Sequence, residues 1–268
     1  MDLAARRMKQ PYSAPYAWRL VATGMSFALF GIGGLCLRLI IFPILSCLPG
    51  DAIAQRRRAR ATISRLFWCF VQFMDRVGVL TYEVQGHDRL GRPGQLVIAN
   101  HPSLIDVVVL ISLIRQANCV VKERLWHNPF TGGPIRAAGY ISNNGSMDML
   151  DETAASLRSG ETLVIFPEGT RTTPGEPPRF HRGASAIALR GAQVITPVVI
   201  TVNPTTLTKA EPWYRIPPRR VHFRLRVGDD IDPNRFAAGA PAPIASRKLN
   251  DHLHQYFTEE LARERPAP

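Results

Sequence analysis

His101 and Asp106 bracket the short stretch Asn100-His101-Pro102-Ser103-Leu104-Ile105-Asp106, and one folded turn can bring the carboxylate back to the imidazole. A histidine that donates one ring nitrogen to a carboxylate keeps the other free to accept a proton from a hydroxyl. The pair therefore has the parts of a general base with its own orienting group. The same spacing also suits a histidine capping a helix whose N-terminus favours Asp106. A second polar stretch, Phe166-Pro167-Glu168-Gly169-Thr170-Arg171, contains an arginine able to hold a phosphate in bidentate fashion and a glycine that permits close backbone approach. Its bland alternative is a turn with a surface salt bridge between Glu168 and Arg171. His181 and Arg182 follow and suit either an anionic contact or a solvated loop.

Both stretches follow apolar runs that read as strands, Gln95 to Ala99 and Thr162 to Phe166. Loops at the carboxyl ends of parallel strands are where α/β sheets place their sites. Further strands are expected at Thr81–Val84, Cys119–Val121, Tyr140–Ser142, Val194–Val202 and Val221–Val227, the last alternating apolar residues with a solvated or lipid-facing basic side. Helices are expected over Leu104–Arg115 with Ser103 as cap, Met147–Arg158 with Ser146 as cap, Gly183–Leu189, and Ile244 to Arg263 with Leu249, Leu253, Tyr256 and Leu261 on one stripe. The fold class is α/β, a mixed and largely parallel sheet flanked by helices.

The 268-residue chain has 33 Lys and Arg against 21 Asp and Glu, a formal charge of +12. Such a charge calls for a polyanionic partner, either nucleic acid or an anionic membrane face. Arg56, Arg57, Arg58 and Arg60 follow soon after a long apolar run, which favours lipid head groups, and no nucleic-acid module signature is present. The run carries no charge from Leu20 to Leu37 and resumes after Arg38 to Leu45, long enough to span a bilayer. Arg6, Arg7 and Lys9 precede it. Arg38 is expected to snorkel at an interface, and Pro43 to kink or end the helix. The basic flanks on both sides leave a spanning helix and a re-entrant anchor open. Ala61 to Val79 reads as an amphipathic helix with Ile63, Leu66, Phe67, Phe70, Val71, Met74 and Val77 on one stripe, facing either the core or the lipid. Residues 1–80 are thus an anchor with a basic amphipathic helix, and 81–268 a catalytic domain facing the cytoplasm. Cys36, Cys47, Cys69 and Cys119 form no C-x-x-C pair, so neither a disulfide framework nor a zinc site is expected.

The blocks at 100–106 and 166–171 resemble two signature blocks of the lysophosphatidic acid acyltransferase family of glycerolipid acyltransferases. Two further blocks fit in order: Lys122 to Asn144 around Gly139-Tyr140-Ile141, and Val194-Ile195-Thr196-Pro197-Val198. The resemblance implies acyl transfer from coenzyme A or acyl carrier protein to a lipid hydroxyl, most simply that of 1-acylglycerol-3-phosphate, with no cofactor beyond the donor. It assigns His101 as general base, Asp106 as the group that holds its tautomer, and Glu168, Gly169, Thr170 and Arg171 as the acceptor site, with Arg171 nearest a phosphate. Pro197 falls in an acyl-donor or core-forming block. The family usually has an arginine where this chain has Gly145, so either Lys122 or Arg136 substitutes, or the acceptor is a different lipid or an amine. A basic membrane-surface or nucleic-acid-binding protein without catalysis accounts for the charge but leaves the two strand-end blocks unexplained.

Overall fold

The computed structural model describes residues 14–173, 175–209 and 211–264. Arg6, Arg7 and Lys9 lie outside them. The apolar run forms one continuous rod: α1 (Tyr16–Cys36), a π-helical turn (Leu37–Ile41) and α2 (Phe42–Ser46). Pro43 does not end the rod. The wider π turn directly before α2 lies where proline removes an ordinary helical hydrogen bond. Arg38 does not snorkel freely either, because its Nη1 donates to the Pro129 carbonyl at 3.2 Å.

The basic cluster and the amphipathic stretch turn out to be one helix, α3 (Ala52–Arg76), capped by Asp51, whose carboxylate accepts from the Ala54 N–H at 2.8 Å. Arg60 is no part of a lipid-facing cluster. It is buried, pairs with Glu161 at 2.7 Å and donates to the Ala138 carbonyl at 2.8 Å. Ile63, Val71 and Met74 point into the core, whereas Phe67 and Phe70 stack near Phe30 of α1. The stripe therefore serves two neighbours, and the expected division at residue 80 falls inside one packed unit.

The remaining elements in chain order are β1 (Leu80–Gln85), β2 (Gln95–Ala99), α4 (Asp106–Leu113), β3 (Asn118–Lys122), α5 (Gly132–Ala138), β4 (Ile141–Asn143), α6 (Met147–Arg158), β5 (Leu163–Ile165), α7 (Gly183–Gly191), β6 (Val194–Asn203), β7 (Val221–Val227), α8 (Asn234–Ala237) and α9 (Ala242–Arg263). The strands form one sheet in the order β1-β7-β6-β2-β5-β3-β4. Every pairing is parallel except β6 with β7. The sheet is thus mixed and largely parallel, flanked by helices.

Alternation along β2 explains the two layers. Val97 and Ala99 join Ile63, Met74, Val109 and Ile200 under α3 and α4, while Leu96 and Ile98 join Leu157, Ile187, Leu253 and Phe257 under α6, α7 and α9. Both faces are covered, so the central strands read as nearly unbroken apolar runs. In α9 Leu249 and Leu253 are buried as expected, and Phe257 takes the buried place expected of its neighbour Tyr256. The cations on the basic side of β7 are partnered: Arg224 pairs with Glu83 and Glu264, and Arg226 with Glu260 and Glu264.

Candidate active site

β2, β5, β3, β4 and β6 run parallel, so the loops that follow them leave from one edge of the sheet. The first of these loops carries His101. Asn100 fixes its start, because the buried side chain donates to the Ile200 carbonyl at 2.8 Å and accepts from the Ile200 N–H at 2.7 Å. Helix α4 then begins at Asp106, two residues later than expected, and Ser103 is not its cap. The Asp106 carboxylate takes that part instead, accepting from the Ser103 N–H at 2.9 Å and the Val107 N–H at 2.7 Å. The turn is wrapped around the carboxylate, and its placement is set by backbone groups.

His101 Nδ1 lies 2.9 Å from Asp106 Oδ1 and 3.1 Å from Oδ2. Asp106 is fully buried, whereas the His101 side chain retains 15% of its exposure. A carboxylate can only accept here, so Nδ1 carries a proton, and in the neutral imidazole this tautomer leaves the lone pair on Nε2. The imidazole also packs against the Phe166 ring, with centroids 4.7 Å apart. This geometry fits a base held in one tautomer and one orientation.

The second loop is bound to the first. Glu168 does not reach Arg171; its Oε1 accepts from the His101 N–H at 2.9 Å and from the Thr172 hydroxyl at 2.8 Å. The Thr172 N–H in turn donates to the His101 carbonyl at 2.7 Å. Burial raises the Glu168 pKa above the usual carboxylate value, against the opposing pull of these hydrogen bonds. Glu168 thus ties the two loops together. Gly169 has φ +62°, a left-handed conformation in which a side chain would be strained. Arg171 donates through Nη1 to the Leu207 carbonyl at 2.8 Å.

His101, Gly169, Thr170, Arg171 and His181 all border a cavity of about 990 Å³, and Lys122 joins them from the end of β3. Its other walls are mostly apolar and come largely from α1, α3 and α4, including Phe30, Phe67 and Val108, with Arg19, Thr23 and Ser26 of α1 also on the lining. Arg124, just past β3, and Lys209, in the segment after β6, also line it, while no Asp or Glu does among the described residues. Burial lowers the Lys122 pKa, and the charges of Arg124, Arg171 and Lys209 lower it further. Four cations without a carboxylate among them make one end of the cavity suited to an anion.

Of the expected residues, Asp106 and Glu168 stand behind the cavity wall and hold its loops, so Glu168 is not itself an acceptor-site lining residue, and Arg136 and Arg182 stay outside altogether. Arg136 is exposed on α5 and donates to the Trp126 carbonyl at 2.6 Å, and Arg182 lies beyond the cavity wall. Gly145 is exposed with φ +72°, so an arginine there would occupy a conformation that L-residues seldom adopt. Pro197 is buried in mid-strand on β6, paired with Ile98 in the core. Arg124 and Lys209 were not singled out by the sequence. The place of Arg124 was the available signal, because it sits in a strand-end loop like the two signature blocks.

A family model described as Acyltransferase matches residues 81–201. A 1-acyl-sn-glycerol-3-phosphate acyltransferase of Pseudomonas aeruginosa is 25% identical over 230 residues, covering 83% of this chain and 85% of that one. A protein of the same name from Helicobacter pylori is 31% identical over 171 residues, 60% of this chain and 70% of its own. The crystal structure of the 1-acyl-sn-glycerophosphate (LPA) acyltransferase PlsC from Thermotoga maritima superposes with a TM-score of 0.69 at 19% identity, covering 94% of this chain and 98% of that one. At that identity the likeness establishes the fold.

Proposed function

The chain belongs to the acyltransferase family represented by the 1-acyl-sn-glycerol-3-phosphate acyltransferases, and from that premise we propose that it moves a fatty acyl group from an acyl thioester of coenzyme A or acyl carrier protein to the free hydroxyl of a 1-acylglycerol-3-phosphate, with His101 as general base. The observation that carries the proposal is the short contact of His101 Nδ1 with the buried Asp106 carboxylate, on a cavity that is cationic at one end and apolar along its walls.

His101 Nε2 takes the acceptor's hydroxyl proton as the oxygen attacks the thioester carbonyl. The imidazolium that forms is stabilised by Asp106 through Nδ1–H. When the carbon–sulfur bond breaks, the thiolate leaves and takes up the proton from Nε2, which restores the neutral imidazole. No acyl group is carried by the protein. Arg171 and Lys122 bind the acceptor phosphate, and Arg124 and Lys209 add charge in place of a cation at position 145. Acyl chains lie against the apolar walls contributed by α1 and α3.

The rod from Tyr16 to Ser46 is long and apolar enough to cross a membrane. We read it as an anchor lying along one leaflet. Catalytic-domain groups touch it from Arg19, whose guanidinium donates to the Pro217 and Pro218 carbonyls, to Gly34, which abuts the Phe130 backbone. That contact runs over about 22 Å of helix, against a hydrocarbon core of about 30 Å. A spanning helix would draw those polar loops into the bilayer. An exposed stripe of Trp18, Val21, Met25, Leu29 and Ile32 instead gives the helix a lipid-facing side.

Gly145 favours a second reading, transfer to a lipid or amine acceptor without a phosphomonoester. Enzyme reconstituted in vesicles, supplied with labelled acyl-coenzyme A or acyl carrier protein and a panel of acceptors, separates the two. The proposal expects labelled phosphatidate as the main product. Preference for an acceptor without phosphate would replace it with the second reading.

A further inference from the structure

The segment 204–220 joins β6 to β7 and touches both the anion-suited end of the cavity and the anchor. At its start Leu207 accepts from Arg171, and Lys209 lines the cavity. At its end the carbonyls of Pro217 and Pro218 accept from Arg19, a buried arginine of α1. Between them stand Trp213 and Tyr214, which pack edge to face with centroids 5.8 Å apart yet remain 45% and 59% exposed.

Trp213 meets the anchor on one side. Its ring centroid lies 5.7 Å from that of Phe27, and its ring edge lies 3.4 Å from where a Cβ on Gly24 would be. Further along the same flank of the helix, Gly31 faces the ring of Phe130, another exposed aromatic from a different loop, and Gly34 faces the Phe130 backbone. Gly24, Phe27, Gly31 and Gly34 follow helical spacing, so the apolar surface of the anchor continues sideways onto rings that belong to the catalytic domain. Exposed Arg215 and Arg219 follow the aromatic pair. Exposed rings bordered by arginines and continuous with an apolar helix suit the boundary between head groups and acyl chains.

Building on the anchor reading above, we infer that Trp213 and Tyr214 enter the lipid beside α1, making the segment 204–220 a second membrane-contact element that holds Lys209 at the cavity end nearest the lipid surface. The lipid surface is the favoured occupant because the rings join an apolar face that already belongs to the anchor, and because the neighbouring free charges are cationic.

The test uses the full chain with Trp18, Trp68 and Trp126 replaced by Phe, so that Trp213 alone reports, and vesicles of phosphatidylcholine and phosphatidylglycerol with or without bromine on the acyl chains. Trp213 emission should be quenched by the brominated lipid, as should emission of a matching variant that keeps only Trp18. Quenching of Trp18 with Trp213 unaffected overturns the inference and leaves the anchor reading in place. Failure of the wild-type chain to bind the vesicles overturns both. The double variant Trp213→Ala with Tyr214→Ala should lose about ten-fold in transfer to vesicle-borne lysophosphatidate. Its transfer to a monomeric short-chain lysophosphatidate should be unchanged, and Trp213→Phe with Tyr214→Phe should retain both activities. Equal loss on both acceptors, or a change in oligomeric state on removal of the rings, counts against lipid as the occupant.

Discussion

The two ends of the polar site are built on opposite plans. Around His101 and Asp106 the acceptors and donors are matched: the carboxylate takes two backbone N–H groups besides the imidazole, and Glu168 fixes the His101 backbone. Around Lys122, Arg124, Arg171 and Lys209 no ion pair forms among the described residues, and the cations depress the Lys122 pKa together with burial. The contrast separates a part that must be in place before substrate arrives from a part whose charge is completed by substrate. Preorganised dipoles need no rearrangement during reaction, while unpaired cations keep their interaction energy for a ligand.

Asp106→Asn strikes the matched end. An amide cannot accept from both backbone donors and the imidazole, so the tautomer is no longer fixed. The turnover number should fall by about two to three orders of magnitude with little change in acceptor KM. A stability loss of about 1–3 kcal/mol, read from denaturant unfolding, should accompany it. A turnover near wild type would show that the orienting contact is not used.

Arg171→Ala strikes the unpaired end and should give the opposite kinetic pattern. Loss of a charge-assisted contact should raise the KM for lysophosphatidate by about ten-fold to one hundred-fold, with the turnover number nearly kept. An equal fall in turnover would mean that Arg171 acts in the transition state and would blur the two plans. Lys209→Ala should do the same on a smaller scale, about three-fold to ten-fold in KM, because a single exposed-side lysine contributes less than a bidentate arginine.

The smallest effect is a displacement along the pH axis. A lysine with a lowered pKa loses its proton at lower pH than an ordinary one, so acceptor affinity should decline on the alkaline side before the usual lysine range. Bound phosphate favours the charged form, and proton uptake should therefore accompany acceptor binding there. In Lys122→Arg the decline should move to higher pH, as read from KM against pH. An unmoved limb would remove Lys122 from the acceptor site.

How much of this was visible beforehand follows from the range of the interactions. The strands and the loops that follow them were legible, because apolar runs and the polar blocks after them are local features. Helix α5 was not, since Gly132, Gly133 and Pro134 form its first turn and all three oppose helix in isolation. Arg60 reads as one of a basic cluster until Glu161, far along the chain, is seen to pair with it. Ser103 looked like a cap because Ser commonly fills that place, but Asp106 competes for the same turn with a stronger acceptor. Lys209 carried no local signal. It reaches the cavity only because β6 lies beside β2 and delivers its segment to the same edge.

The central claim is that an imidazole held by Asp106 removes the acceptor's proton. Its most direct test is single-turnover transfer of a labelled acyl group to lysophosphatidate by His101→Ala in vesicles, with thermal unfolding of the same preparation. Transfer should fall by about two to four orders of magnitude while the unfolding midpoint stays near wild type, because Asp106 keeps its Ser103 and Val107 donors. Wild-type transfer by that variant would contradict the account.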